Sequence, residues 1–508
     1  MISKVQSAAC LGIHAYPVQI EVDVTTGLPQ LVVVGLPDAG IKESRERIRS
    51  AIRNSGYRFP PEKITINLAP ADIKKEGPAF DLPMAVGILA ASGIIPVQNL
   101  QPFVFLGELA LDGSLRPLRG AIAITSSLKD SKYFILPSEN AKEASLEKKA
   151  AIYPVKSLKE VIQFLRGEKE IEPASCSSFG TKEHSFQNLV DFSDIKGQKM
   201  AKRAVEIAVA GGHNILFVGP PGSGKTMLAR RIPTILPALE FEEALAITKI
   251  YSVAGLLSDI QRLITERPFR APHHTISAMA LAGGGPSPRP GEISLAHEGV
   301  LFLDELPEFR RDVLEVLRGP LEEGDILISR VKMQIKYPAR FLLVAAMNPC
   351  PCGFLWDSRK ACRCSLAQIQ KYQTRISGPI LDRIDLHVEL PAVSYHTLAS
   401  DETAESSQII RPRIVRCREV QRERYQDASF RTNALMRARE LRQHARPDSE
   451  GSKLIEMAMR ELHLSARAYY KILKISRTIA DLEESEKIHP DHIAEAIQYR
   501  CLDKQWVG

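Results

Sequence analysis

Between Leu216 and Pro233 the chain reads LFVGPPGSGKTMLARRIP, and Gly219, Pro220, Pro221, Gly222, Ser223, Gly224, Lys225, Thr226 and Met227 spell the pattern G-x-x-x-x-G-K-[ST] and one residue more. The apolar run ILFV precedes the glycines and the helical pattern KTMLARRI follows them. This spacing suits a phosphate grip. Glycines let backbone N–H groups wrap β- and γ-phosphates, a helix start adds partial positive charge, Lys225 adds a point charge, and the Thr226 hydroxyl is able to ligate Mg²⁺. A second apolar run, GVLFLDELPEF, ends in Asp304 and Glu305. At the carboxyl end of a parallel strand, Asp304 is expected in the Mg²⁺ shell and Glu305 as the group that orients or deprotonates the attacking water. Asn348 closes RFLLVAAMN, where its amide could position that water. Arg383 in SGPILDRIDLHVEL and Arg467 in LSARAYY are candidates for stabilising transition-state charge. The chemistry expected is Mg²⁺-dependent hydrolysis of ATP.

Directly after the Asn348 strand come Cys350-Pro-Cys352 and Cys362-Arg-Cys364, four of the eight cysteines of the chain. Four thiolates this close in sequence can surround one tetrahedral Zn²⁺ and close a loop too short for a core of its own. Clustered reduced thiols are the alternative, with a disulfide pair disfavoured in a reducing compartment. The segment FRAPHHTIS sets His273 and His274 beside Arg270. It reads as a DNA- or subunit-contacting loop or as a packed loop, and adjacent histidines do not suit one metal.

These groups need scaffolding, and 508 residues suffice for two to four domains. The fold class expected is multidomain α/β. Residues 1–166 alternate β-type runs (PQLVVVGLP, KITINLAP) with helix-type runs, as an α+β domain does. Residues 167–190 lose apolar periodicity and read as a linker. Residues 191–405 alternate strand candidates at Ile215–Val218, Val300–Leu303, Phe341–Ala346 and His387–Leu390 with helical patterns, as in a parallel sheet covered by helices. Residues 406–508 read as a helical lid, with a serine capping the helix that begins LSARAYY. The net charge of +7 is a mild basic excess. The basic stretch KESRERIRSAIR is either channel lining or a solvated helix face, and the arginine-dense run from Arg411 to Arg424 lies along DNA or along a neighbouring subunit. No apolar run of membrane-spanning length and no signal-like h-region is present, so a cytoplasmic location is the expectation.

Taken together, DIKGQKMAKRAVEIAVAGGHNILFVGPPGSGKT, RPFRAPHHTISAMALAGGG, PGEISLAHEGVLFLDELPEF, FLLVAAMNPCPCG and SGPILDRIDLHVELP resemble the magnesium-chelatase-like AAA+ ATPases of the ComM (YifB) type, over essentially the whole chain. The resemblance implies a ring-forming homo-oligomer, expected to be a hexamer. Lys225 and Thr226 would be its Walker A residues, Asp304 and Glu305 its Walker B residues, and Asn348 its sensor 1. Arg383, with Arg375 as rival, would be the finger reaching the neighbour's nucleotide, and Arg467 sensor 2. It further implies a DNA motor for branch migration of incoming single-stranded or branched DNA in natural transformation. The run EEGDILISRVKMQIKYPARF would be a pore hairpin gripping phosphates through Arg330 and Lys332, or an exposed hairpin that is basic for solubility. The first block resembles the Lon-type protease domain, of the ribosomal S5 domain 2-like fold. Here Ala79 replaces the dyad serine and Ile122 stands about where the lysine would fall, so a dyad mechanism is unavailable. The competing expectation is a protein-remodelling ATPase of the kind that drives metal insertion into a porphyrin, whose motor subunits are expected to lack the first block.

Overall fold

The computed structural model describes residues 1–73, 75, 77–174, 190–257, 263–285, 288–330, 333–357, 360–394, 396–397, 404–426, 428 and 430–500. Val331, Lys332 and most of the expected linker (175–189) lie outside the described residues, as do 398–403 near the expected start of the lid. The chain is a mixed α/β structure with two large sheets followed by a helical segment.

The first sheet has seven strands in the order Gln30–Val34, Lys63–Ala69, His14–Thr25, Ile2–Leu11, Phe103–Phe105, Tyr133–Pro137 and Ala151–Val155. Only His14–Thr25 runs antiparallel to its neighbours. Beneath it lies the helix Asp81–Ala91, every residue of which is buried. Such a helix has no polar face, which fits DLPMAVGILAA. It approaches the sheet so closely that a Cβ on Gly87 would come within 2.6 Å of Val22.

The second sheet has five parallel strands in the order Phe269–Arg270, Val300–Leu303, Leu342–Met347, Ile215–Val218 and Leu386–Glu389. VLFL, ILFV and LLVAAM are buried at every position, as strands covered on both faces must be. One face, with Ile215, Phe217 and Val344, shares a core with the helices Lys199–Gly211, Ser407–Arg424 and Ala466–Leu482. The other face, with Leu216, Val218 and Leu303, packs on Ile335 and Tyr337 of the hairpin Asp325–Arg330/Met333–Pro338. Val218 pairs with Met347 and Leu303 with Ala345, so Gly219, Asn348 and Asp304 leave the sheet at one edge. That carboxyl edge is where parallel sheets bind ligands.

The two sheets are joined by contacts, not only by chain. Ile122, Leu146 and Leu245 form one buried cluster. Ser252 Oγ accepts from the Gly120 amide at 3.0 Å and donates to Glu143 Oε2 at 2.7 Å. The turn between the first two strands, at Gly12, rests on the hairpin Asp325–Arg330/Met333–Pro338: a Cβ there would lie 2.6 Å from Ile335 Cγ2. Among the described residues no helix is long and apolar enough to cross a membrane.

Candidate nucleotide site and cysteine cluster

The phosphate loop leaves its strand with the Gly219 amide donating to Met347 O at 3.2 Å. Gly222 and Gly224 have φ of +76° and +93°, left-handed values that glycine adopts without strain. At Gly219 the reason is space, since a Cβ would meet Leu390 O at 2.3 Å. The helix Lys225–Ile235 starts at the lysine, so its first amides have no intrahelical acceptor and carry the positive end of the helix dipole. Lys225 Nζ donates to Gly219 O at 2.7 Å, Pro220 O at 2.9 Å and Asn348 Oδ1 at 3.2 Å. Burial draws its pKa down to about 8, against the opposing pull of Asp304 and Glu305. Thr226 Oγ1 donates to Asp304 Oδ2 at 2.7 Å, which puts a hydroxyl and a carboxylate together as a hard divalent cation requires. Gln198 steadies the loop from outside, donating to Ser223 O at 3.2 Å and Pro391 O at 2.7 Å.

Glu305 stands at φ +53°, in the left-handed region, where a non-glycine residue costs about 1 kcal/mol. The twist lifts its side chain out of the strand's alternation, and 58% of it is exposed. His274 Nδ1 lies 3.3 Å from Glu305 Oε2. The His274 ring sits 4.1 Å from that of His273 and edge-on to Phe309. The expected catalytic carboxylate is therefore held by a residue to which sequence reasoning assigns no chemistry. Adjacent histidines in APHHT are the available signal, and the fold adds the partner.

Lys225 with Asn348 and Thr226 with Asp304 thus form two hydrogen-bonded pairs, side by side because Lys225 and Thr226 are consecutive, with Glu305 following Asp304. The arginines sit elsewhere. Arg383 donates to Pro379 O at 2.6 Å and is paired with Glu322. Arg375 makes a two-pronged contact with Glu308 at 2.9 Å, and Arg467 pairs with Asp382 at 2.9 Å. No ion pair or hydrogen bond joins Arg375, Arg383 or Arg467 to the phosphate loop among the described residues. The Arg383 backbone is nevertheless fixed from several sides. Asn214 Nδ2 donates to Arg383 O at 3.0 Å, while Lys471 Nζ and Arg500 Nη1 reach Ile384 O at 2.8 and 2.9 Å. Burial would raise the Asp385 pKa, but Lys471 and His213 hold it well below the usual carboxylate range.

The four cysteines converge. Cys350 Sγ lies 3.4 Å from Cys352 Sγ and 3.7 Å from Cys362 Sγ, Cys352 and Cys362 are 3.6 Å apart, and all four sulfurs fall within 4.8 Å of one another. Sulfurs at about 2.3 Å from one tetrahedral Zn²⁺ would stand about 3.8 Å apart, so the set fits that ion. Disulfides would need about 2.05 Å, and all four thiols are free. The Cys364 amide points at Cys362 Sγ at 3.4 Å, and backbone amides of Arg363 and Phe354 hold the Cys352 thiol down to about 6. The loop also touches the candidate nucleotide site. Gly353, at φ +84°, is pressed on Pro221, where a Cβ would lie 2.6 Å from Cδ. This contact joins segments 132 positions apart (353 − 221), and nothing in the sequence announces it.

The basic segments are largely engaged within the chain. Along Ser407–Arg424, Arg413 pairs with Glu206 and Glu405, Arg416 with Glu484, Arg422 with Glu240 and Arg424 with Asp481. Arg47 of the helix Ala39–Asn54 pairs with buried Asp81 at 2.8 Å, and Arg49 lies over the Phe59 ring. Arg270 pairs with Glu292 at 2.6 Å. Arg330 ends its strand opposite Met333.

Comparison with known proteins decides the kinship. Residues 191–398 match the family described as magnesium chelatase, subunit ChlI, and residues 404–500 match its C-terminal counterpart. The chain is 44% identical to competence protein ComM of Haemophilus influenzae over 509 aligned positions, covering 99% of this chain and 98% of that protein. The chain belongs to the ComM/YifB family of magnesium-chelatase-like AAA+ ATPases. YifB of Salmonella typhimurium is likewise 44% identical, over 99% of this chain and 98% of its own length. The 38 kDa magnesium-chelatase subunit of Rhodobacter capsulatus is 24% identical over 31% of this chain and 50% of its own. Residues 20–140 match a family described as subunit ChlI of Mg-chelatase.

Proposed function

We propose that the chain hydrolyses ATP and uses the energy to translocate on DNA, driving branch migration during uptake and recombination of DNA. In this reading Gly219 to Met227 cradle the phosphates, with Lys225 neutralising charge that builds up as the terminal phosphoryl group departs. Thr226 and Asp304 would hold Mg²⁺, which when bound offsets phosphate charge. Glu305 orients or deprotonates the water, and Asn348, tied to Lys225, fixes the water's approach. Arg383 or Arg375 would act on the nucleotide of a neighbouring subunit in a ring, expected to be hexameric, once freed from Glu322 or Glu308. Arg467 on the lid would respond to the nucleotide of its own subunit. Cys350, Cys352, Cys362 and Cys364 would hold one structural Zn²⁺. Ala79 and Ile122, in place of a serine and a lysine, argue against peptidase activity.

The observation that carries the choice of DNA is the end-to-end likeness to a competence protein, against a partial likeness to a chelatase subunit. Remodelling of a protein partner is the second reading, favoured by the family descriptions of the ATPase and helical segments. The discriminating experiment measures ATP turnover of the full-length chain with no DNA, with single-stranded DNA and with a four-way junction. Stimulation several-fold or more by DNA is expected. Failure to bind any DNA would transfer the reading to protein remodelling.

A further inference from the structure

We infer that the cysteine-held loop is a wedge that positions the phosphate loop and Asn348, so that metal and nucleotide bind cooperatively. The inference rests on the reading of the four cysteines as a zinc site. Asn348 and Cys350 are separated only by Pro349, whose carbonyl accepts from Gln373 Nε2 at 3.3 Å. Asn348 Oδ1 in turn receives Lys225 Nζ at 3.2 Å. On the other side of the cluster, Gly353 lies flat on the phosphate loop. A Cβ built there would be 2.6 Å and 2.9 Å from Pro221 Cδ and Cγ and 3.8 Å from Asn348 Cγ.

Apart from the sulfurs, the described loop residues are held by few contacts: the Gly353 amide donates to Cys350 O at 3.0 Å, Trp356 packs on the core beside the hairpin, and Lys360 lies over the Phe354 ring. From Pro351 to Ser365, Gly353 is the one buried residue among those described. The helix Leu366–Gln373, capped by Ser365, anchors the far end through buried Ile369 and Tyr372. Between the sensor strand and that helix, the shape of the loop depends on the cross-link among its sulfurs. A metal there fixes Gly353, Gly353 limits where Pro221 can go, and Pro221 sits in the turn whose amides would meet the phosphates. Two ligands that favour the same loop arrangement must each tighten the other by one factor.

The test closes that cycle on the full-length protein. Metal analysis gives zinc per chain. Zinc affinity is then read by competition with a zinc-selective chelator that leaves magnesium untouched, with and without a non-hydrolysable ATP analogue and Mg²⁺. Analogue affinity is read by fluorescence before and after zinc removal. Zinc should bind about fivefold or more tightly with the analogue, and the analogue should weaken by the same factor when zinc is removed. In Gly353→Ala, and independently in Pro221→Ala, zinc should stay near one per chain while the coupling factor falls towards one. Should either variant fail to fold, the other carries the comparison. Zinc-bound parent protein with equal affinities in both arms overturns the wedge and leaves the zinc site standing. A parent chain that binds no zinc overturns the zinc site and the wedge with it.

Discussion

At the scale of single residues, the candidate nucleotide site is legible in the sequence where a residue type answers a local demand. Gly222 and Gly224 occupy left-handed turns, Lys225 opens a helix, and Asp304 ends a strand buried at every position. Each is dictated by neighbours a few positions away. His274 against Glu305 and Gly353 against Pro221 are not legible, because folding brings distant segments together to make them. Glu305→Gln keeps the side chain's size and its place beside His274 but removes the carboxylate charge. Analogue binding should be retained, and single-turnover hydrolysis should fall about 10²-fold or more. Near-parental turnover would remove Glu305 from the role of catalytic base.

At the scale of elements, apolar runs alone locate four of the five strands of the second sheet, two of them with edges off by one, and miss the two-residue edge strand Phe269–Arg270. The sequence predicts Phe341–Ala346 where Leu342–Met347 is found, and His387–Leu390 where Leu386–Glu389 is found. A strand buried on both faces has no polar alternation to mark its ends. The surroundings of the arginine-dense helix Ser407–Arg424 are less legible, since composition shows the basic residues but not what they pair with. Their acidic partners Glu206, Glu240, Asp481 and Glu484 are scattered along the sequence and come together only in the fold. The hairpin Asp325–Arg330/Met333–Pro338 is the element with a separable task. If it grips single-stranded DNA, Arg330→Ala with Lys332→Ala should weaken binding for all sequences alike. The log–log salt slope should flatten by about 0.7 for each phosphate no longer neutralised, with basal ATPase intact. An unchanged slope and unchanged strand displacement would take the hairpin out of the DNA path.

At the scale of the whole molecule, the sequence divides the chain into blocks, while the structure shows how firmly the first block is seated on the second. Ser252 is the polar pin of that junction, satisfying the Gly120 amide and the Glu143 carboxyl at once. Both groups are largely shielded from water, and burial raises the Glu143 pKa. Ser252→Ala leaves them without this partner, at a cost of about 1–3 kcal/mol. The expected result is a lower midpoint in denaturant and faster proteolysis at the junction, with analogue affinity unchanged; parental resistance to protease would argue that the apolar cluster suffices. The turn at Gly12 carries a consequence for anyone who takes the molecule apart. Because Leu11 and Ile13 cover the side of the hairpin that bears Ile335 and Tyr337, cutting away the first 166 residues does more than delete a block. It strips the cover from apolar side chains at the root of the expected DNA-gripping element. Loss of activity in such a fragment would report a sticky, misaligned hairpin as readily as a missing partner. The cleaner dissection keeps the chain whole and changes Gly12 alone.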